Sequence, residues 1–297
     1  MAQNIWMQPA QPPRRGRSWL RTLLIGLCLF IVTTIVMFFT SNPNLYPTVI
    51  LIGNFLVPVV FVAFLYDHQH FSTLTPATVA TSFCVGGVLG VIGTSVLESL
   101  LLPIPSHMGQ DLPLTSALAV GLIEEGCKLA IVMFLARKMS HTLAIDGLLL
   151  GGAVGMGFAA LESTGYAFTT FLLSHGLVGA SLVETVIRGL LAPFGHGVWT
   201  AILGAVLFRQ SGPRHFRITG WVLLAYLFVS LLHGLWDGLP NTIFLIIPPG
   251  FDLPVITLTL GVIGIITLVV LYRRAMTQHR QLTSPLPTIL PGEKSLT

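Results

Sequence analysis

The stretch LTSALAVGLIEEGCKLAIVMFLA at 114–136 decides the fold. At 1.5 Å of rise per residue it is long enough to cross a bilayer core of roughly 30 Å. Apart from Thr115 and Ser116, its polar side chains are Glu124, Glu125 and Lys128, grouped at its middle. A charged side chain at bilayer depth costs about 2.5–3.5 kcal/mol even on insertion scales. Three in one apolar segment therefore need partners and enclosure from other segments of the same kind.

The rest of the chain supplies such segments. Of its 297 residues, 53% are hydrophobic and only 9% charged, and the mean hydropathy is +0.84. A soluble domain carries about a quarter charged residues, so this chain cannot cover itself with polar surface. Apolar runs near 21–40, 47–66, 77–102, 114–136, 144–173, 184–208, 219–239 and 254–272 each read as a spanning helix. The expected fold is all-α: a polytopic membrane protein with about eight transmembrane helices. Residues 1–20 form a basic N-terminal tail, 21–272 the membrane domain, and 273–297 a polar tail. The basic leader before the first run could suggest a signal peptide, but the run is long and no small-residue cleavage site follows it, which reads as a retained span.

Charge placement orients the spans. With the N-terminus inside, Arg14, Arg15, Arg17 and Arg21 precede the first span, and Arg137 and Lys138 follow the fourth. Arg209, Arg214 and Arg217 follow the sixth, and Arg273, Arg274, Arg280 and Lys294 follow the eighth. Thirteen of the fifteen basic residues thus fall on one side, and the loops 41–46, 103–113, 174–183 and 240–253 hold none. The positive-inside rule places both termini in the cytoplasm. The net charge of +4 is accordingly a topology signal and a contact for the lipid bilayer; no nucleic-acid partner is expected. Cys28, Cys84 and Cys127 lie in apolar runs without metal-ligand spacing and read as small buried hydrophobes. Gly147, Gly151 and Gly155, and likewise Gly86, Gly90 and Gly93, mark close-packing helix faces.

The intramembrane polar residues are few. Glu124, Glu125 and Lys128 lie in span four, Glu162 in span five, His196 in span six, and His233 with Asp237 in span seven. Counted from the outer end of each span, Glu125, Glu162 and His196 all lie about 17 Å deep, and His233 about 9 Å. Agreement across four helices points to a shared polar cavity in the middle to outer half of the bilayer. Glu124 and Lys128 are four apart and share a helical face, while Glu125 points about 100° away. One glutamate can thus be neutralised by lysine while its neighbour faces the cavity, with Glu125 or Glu124 as the general base. Phe158 sets an aromatic wall one turn from Glu162, and Asp237 shares a face with His233. Glu184 and Arg188, nearer an outer end, read as a structural pair, and Glu98 is equivocal. These parts suit hydrolysis: a buried carboxylate can take a proton from water. Two histidines and a carboxylate could hold zinc with one position open, or the histidines could stabilise an oxyanion without metal.

In order along the chain, these residues read EExxK at 124–128, FxxxE at 158–162, His196, and HxxxD at 233–237. Four such motifs on successive helices resemble the PrsW family of intramembrane proteases, whose motifs are similar to those of the CAAX prenyl endopeptidases and their bacterial relatives. The resemblance covers about 120–240, within a protease-like core at 114–240. It implies an endopeptidase of the bacterial cytoplasmic membrane, engaged in regulated intramembrane proteolysis. Its partner would be a membrane-protein substrate, such as a membrane-anchored anti-sigma factor cut near its extracytoplasmic side. Glu124, Glu125, His196 and His233 become the catalytic set, with Lys128, Phe158, Glu162 and Asp237 in support. Zinc, if present, would be held by His196, His233 and Glu162; the related enzymes offer glutamate-activated water as the other route. Glu162 stands where those relatives have histidine, which leaves two motif histidines for a metal. Two readings from other classes remain beside this one. A proton-coupled transporter would use the same buried groups as a relay, and a non-catalytic scaffold would keep the fold alone.

Overall fold

The computed structural model describes residues 16–68, 71–102, 112–239, 244–247 and 251–283. The outermost basic residues, Arg14, Arg15 and Lys294, and most of the loops 103–113 and 240–253 lie outside that set, as do the ends of both tails. Helices follow the apolar runs. They are α1 (Ser18–Thr40), α2 (Leu45–His68), α3 (Pro76–Leu101), α4 (Leu114–Ala136) and α5 (Ala144–Leu173). Next come α6 (Val178–Leu191), a 3-10 turn (Ala192–Phe194), α7 (His196–Gln210), α8 (Gly220–Gly238) and α9 (Val255–Thr283).

Seven segments are long and apolar enough to cross a membrane, with α6 and α7 counted together as Val178–Gln210. Helix α4 is 23 residues long but stands apart from those seven because Glu124, Glu125 and Lys128 fall within it. The helical membrane architecture thus matches the sequence expectation. An antiparallel ribbon, β1 (Phe244–Ile247) and β2 (Phe251–Pro254), is added between α8 and α9, pairing Phe244 with Pro254 and Ile247 with Phe251. Helix α9 also runs to Thr283, beyond the expected end at 272. Arg, Ala, Met and Gln in 273–283 favour helix, and no proline interrupts before 285.

Helix α5 is the axis of the bundle. Every residue from Ala144 to Ala160 is buried, as expected of a helix apolar on all sides. It packs against α7 on one side and α3 on another, while α4 packs against α8. Small residues set these approaches. Gly147 and Gly151 lie against the α7 backbone at Gly204 and Thr200, and Gly155 against the carbonyl of His196. Gly86 and Gly90 meet Val154 and Phe158 of α5, but a side chain at Gly93 would meet nothing within 4 Å. Gly93 is therefore not part of that packing face. On the far side α1 exposes Leu24, Ile25, Phe38 and Phe39, an apolar surface of the kind a bilayer covers.

The sixth predicted span, 184–208, is not one helix. It starts at Val178 and breaks at Ala192–Phe194 before α7 resumes at His196. Pro193 lacks an amide hydrogen and its ring conflicts with the carbonyl one turn earlier; Gly195 follows it. The break makes His196 the first residue of α7. Two carboxylates then tie the other ends together. Asp67 accepts from Trp19 N at 3.0 Å and Ser18 Oγ at 2.8 Å, joining α2 to α1. Asp146, buried at the start of α5, accepts from Thr73 N at 2.9 Å and Thr73 Oγ1 at 2.6 Å.

Candidate active site

The site forms where α4 crosses α8 and α5 crosses α7. Gly121, one turn before Glu125, lies against the backbone of Ser230 and Gly234. A side chain there would push α8 away, so the glycine lets Glu124 and Glu125 reach His233. The close approach at Gly155 does the same for His196 across α5.

Lys128 is at the centre and fully enclosed. Its Nζ donates to Glu124 Oε2 at 3.0 Å and to Glu125 Oε1 at 2.9 Å, and lies 2.9 Å from His196 Nδ1. The Phe158 ring lies beneath the same ammonium, 3.8 Å from Nζ to its centroid. The expected aromatic wall is therefore also a cation–π floor. One cation against two carboxylates leaves the pair with net negative charge. His233 adds a second donor to Glu125, its Nδ1 lying 3.1 Å from Oε1.

The two adjacent glutamates have different surroundings, and not those expected. Glu125 is bonded by Lys128 and His233 through one oxygen, while Thr200 Oγ1 reaches the other at 3.4 Å. Its side chain is 0% exposed, against 7% for Glu124. Lysine thus engages both glutamates rather than Glu124 alone, and Glu125 is the more completely enclosed of the two. Inter-helix packing decides this, because α8 covers the Glu125 side of α4.

Glu124, His196 and His233 bring one ligand-capable atom each within 4.8 Å of one another. Glu162, the carboxylate expected to complete a metal site, lies outside this set. It instead takes His196 Nε2 at 3.0 Å and Arg188 Nη2 at 2.8 Å. Arg188 is accordingly not the partner of Glu184 foreseen in the sequence. It turns toward α5, donating also to Ser163 Oγ at 3.3 Å and lying 3.8 Å over the Tyr166 ring. Asp237 Oδ2 is 3.2 Å from His233 Nε2 and Glu124 Oε2 is 3.5 Å away. Neither is aligned as a hydrogen bond, and His233 Nε2 is a buried nitrogen without a hydrogen-bond partner. Such an orphan, set between Asp237 at 3.2 Å and Glu124 at 3.5 Å, fits a cation or a water held among them. The N,N,O donor set also suits zinc, whose ligand atoms in a tetrahedron are about 3.3 Å apart. Lys128 would have to release His196 Nδ1 for that nitrogen to bind.

Sequence reading missed Thr200, Ser163, Tyr166 and the true partner of Arg188. A signal existed for each. Thr200 is one turn from His196, Tyr166 is one turn from Glu162 with Ser163 one turn before Tyr166, and an arginine inside an apolar run requires a partner. A cavity of about 70 Å3 opens beside His196, lined by Ala159, Ser163, Arg188, Ala192, Trp199 and Trp236 among others. Trp199 stacks on His233 at 4.9 Å between centroids and meets His196 edge-on. Glu98 of α3 carries a buried Oε1 without a partner and stands outside the bonded network.

The sequence pattern of the PrsW family intramembrane metalloproteases matches residues 75–273, which include every residue of the network. The chain is 30% identical to Protease PrsW of Bacillus subtilis (strain 168) over 45% of its own length and 59% of that protein. To Protease PrsW of Halalkalibacterium halodurans it is 27% identical over 59% of its length and 76% of the relative. To that of Clostridioides difficile (strain 630) it is 28% identical over 52% of its length and 63% of the relative. The chain thus spans less than two thirds of the Bacillus and Clostridioides proteins. No solved structure matches it. With the family pattern running unbroken from α3 into α9, the chain belongs to the PrsW family of intramembrane metalloproteases.

Proposed function

We propose that this chain is an intramembrane endopeptidase that cuts a membrane-anchored protein, with a membrane-anchored anti-sigma factor as the preferred substrate. One observation carries the reading. Glu124, Glu125, Lys128, Glu162, His196, His233 and Asp237 come from four separate helices and form one connected network. Structural ion pairs within single helices would not converge in this way.

In this reading Glu124 is the general base. It is the slightly less enclosed glutamate of the pair, and its Oε2 lies 3.5 Å from His233 Nε2. A water held between them would lose its proton to Glu124 as it attacks the scissile carbonyl. Glu125 stays ionised and fixes Lys128 and His233. His233 Nε2, when it carries a proton, offers a donor to the developing oxyanion. His196, at the start of α7 and beside the cavity, is turned by Glu162. Zinc held by Glu124, His196 and His233 would instead supply the water activation and carbonyl polarisation itself, in place of Glu124 as base and His233 as donor. We place α4 as an eighth span, its charges answered by neighbouring helices, with both termini cytoplasmic and the chain in a bacterial cytoplasmic membrane. The site then lies toward the extracytoplasmic side.

The test is cleavage of a co-expressed single-span reporter carrying an extracytoplasmic juxtamembrane segment. Wild type should release the outer domain, and Glu124→Gln should accumulate normally without doing so. Unchanged release by Glu124→Gln would remove Glu124 as the base. Glutamate-dependent proton flux into liposomes, without cleavage, would favour a transporter instead.

A further inference from the structure

Arg188 has no task in the cleavage reading, yet three residues of α5 hold it. Its Nη2 donates to Glu162 Oε2 at 2.8 Å, its Nε donates to Ser163 Oγ at 3.3 Å, and its plane lies 3.8 Å over Tyr166. The three partners occupy one face of α5. Glu162 Oε2 is also the atom that His196 Nε2 meets at 3.0 Å. The guanidinium and the imidazole thus share one carboxylate oxygen.

The other side of the imidazole determines its tautomer. His196 Nδ1 lies 2.9 Å from Lys128 Nζ. An ammonium has donors only, so Nδ1 must accept and the ring proton of the neutral imidazole sits on Nε2. That proton is donated to Glu162. A carboxylate held by one histidine could turn about its own side-chain bonds. A second donor on the same oxygen, Arg188 Nη2, itself anchored on Ser163 and Tyr166, restricts that freedom. With Nε2 bound outward, Nδ1 is held inward, 3.9 Å from Glu124 Oε2.

We propose that Arg188 is a positioning residue: acting through Glu162, it holds His196 as the Nε2–H tautomer with Nδ1 turned toward Glu124. A carboxylate orienting a functional histidine is a general device; here the carboxylate is itself oriented, from the half-helix before the break. The kinetic consequence rests on the peptidase reading. The tautomer does not. The competing account is that Arg188 merely bolts α6 to α5.

The full chain, in lipid nanodiscs with 15N-labelled histidine, separates the two. His196 signals are assigned by their loss in His196→Gln. Wild type should show one protonated ring nitrogen, Nε2; Arg188→Ala and Glu162→Ala should each give mixed tautomers. A wild-type proton on Nδ1, or an Arg188→Ala spectrum equal to wild type, overturns the proposal. With a cleavable single-span reporter, Arg188→Ala should lower kcat by about tenfold or more with KM little changed. The same substitution should have no further effect in a Glu162→Ala background, and Arg188→Lys should recover part of the loss. Additive losses, or a loss carried by KM, leave Arg188 as a bolt and overturn the proposal. If Arg188→Ala fails to accumulate, Arg188→Gln takes its place in every comparison. Failure of the wild-type chain to cleave any reporter would count against the peptidase reading, while the histidine spectra would still decide the role of Arg188.

Discussion

His196 Nδ1 and Lys128 Nζ are 2.9 Å apart, so the network is centred on an ammonium that touches two glutamates and a histidine at once. A lysine in this position organises three acceptors from α4 and α7. Without it, two enclosed carboxylates would face each other. Lys128→Met should therefore destabilise the protein by about 3–5 kcal/mol, the cost of leaving a buried ionic partner unmatched. Lys128→Arg should not restore activity, because the planar fork cannot replace a compact donor with three directions. The checks are the denaturation midpoint in mild detergent and reporter cleavage. A Met variant as stable as wild type would mean that the two glutamates do not depend on the ammonium.

Glu124 and Glu125 are neighbours in sequence but should fail differently. Glu124→Gln should reduce kcat by roughly 10²–10⁴, the usual contribution of a general base, with little change in stability. Glu125→Gln removes an ionised partner of both Lys128 and His233 and should lower stability as well as activity, by about 3 kcal/mol. Measuring kcat and denaturation midpoint on both variants separates the roles. A Glu125→Gln protein that is stable but inactive, beside an active Glu124→Gln, would reverse the assignment.

Glycine positions offer a test of placement without touching the polar residues. Gly155→Val would drive a side chain into the carbonyl of His196, and α7 would have to move. Loss of cleavage by at least tenfold is expected, since misplacement by about 1 Å can cost some hundredfold. Gly93→Ala, where nothing lies within 4 Å, should be neutral or stabilising by up to about 1 kcal/mol through helix propensity. Equal effects from the two substitutions would contradict the packing described.

The donor set Glu124, His196 and His233 makes metal dependence a direct test of the zinc route. Protein purified without chelator should carry zinc at up to one ion per chain, and His233→Ala should lose it. A chelator should abolish cleavage, and added zinc should restore it. Full activity in metal-free protein would point to water activated by glutamate alone.

Much of this protein is legible along one dimension. A bilayer demands about twenty apolar residues per span, so the helices emerge from composition almost within their observed bounds. Pairs four apart, such as Glu124 with Lys128 and His233 with Asp237, follow from the helical repeat. A charged residue in an apolar run announces its own importance because it is costly there. The PrsW motifs are likewise a matter of spacing.

What lies between helices is different. Spacing relates a side chain to its own helix axis but not to the rotation of a neighbour, which packing sets. Only the tertiary structure therefore shows that α8 covers Glu125 and leaves Glu124 the less enclosed of the two. Only the meeting of α5 with α6 and α7 turns Arg188 away from Glu184 to share Glu162 with His196. The break at Ala192–Phe194 had a local signal in Pro193 and Gly195, but its consequence did not. Placing His196 at a helix start, against Gly155 of another helix, depends on contacts between residues far apart in the chain.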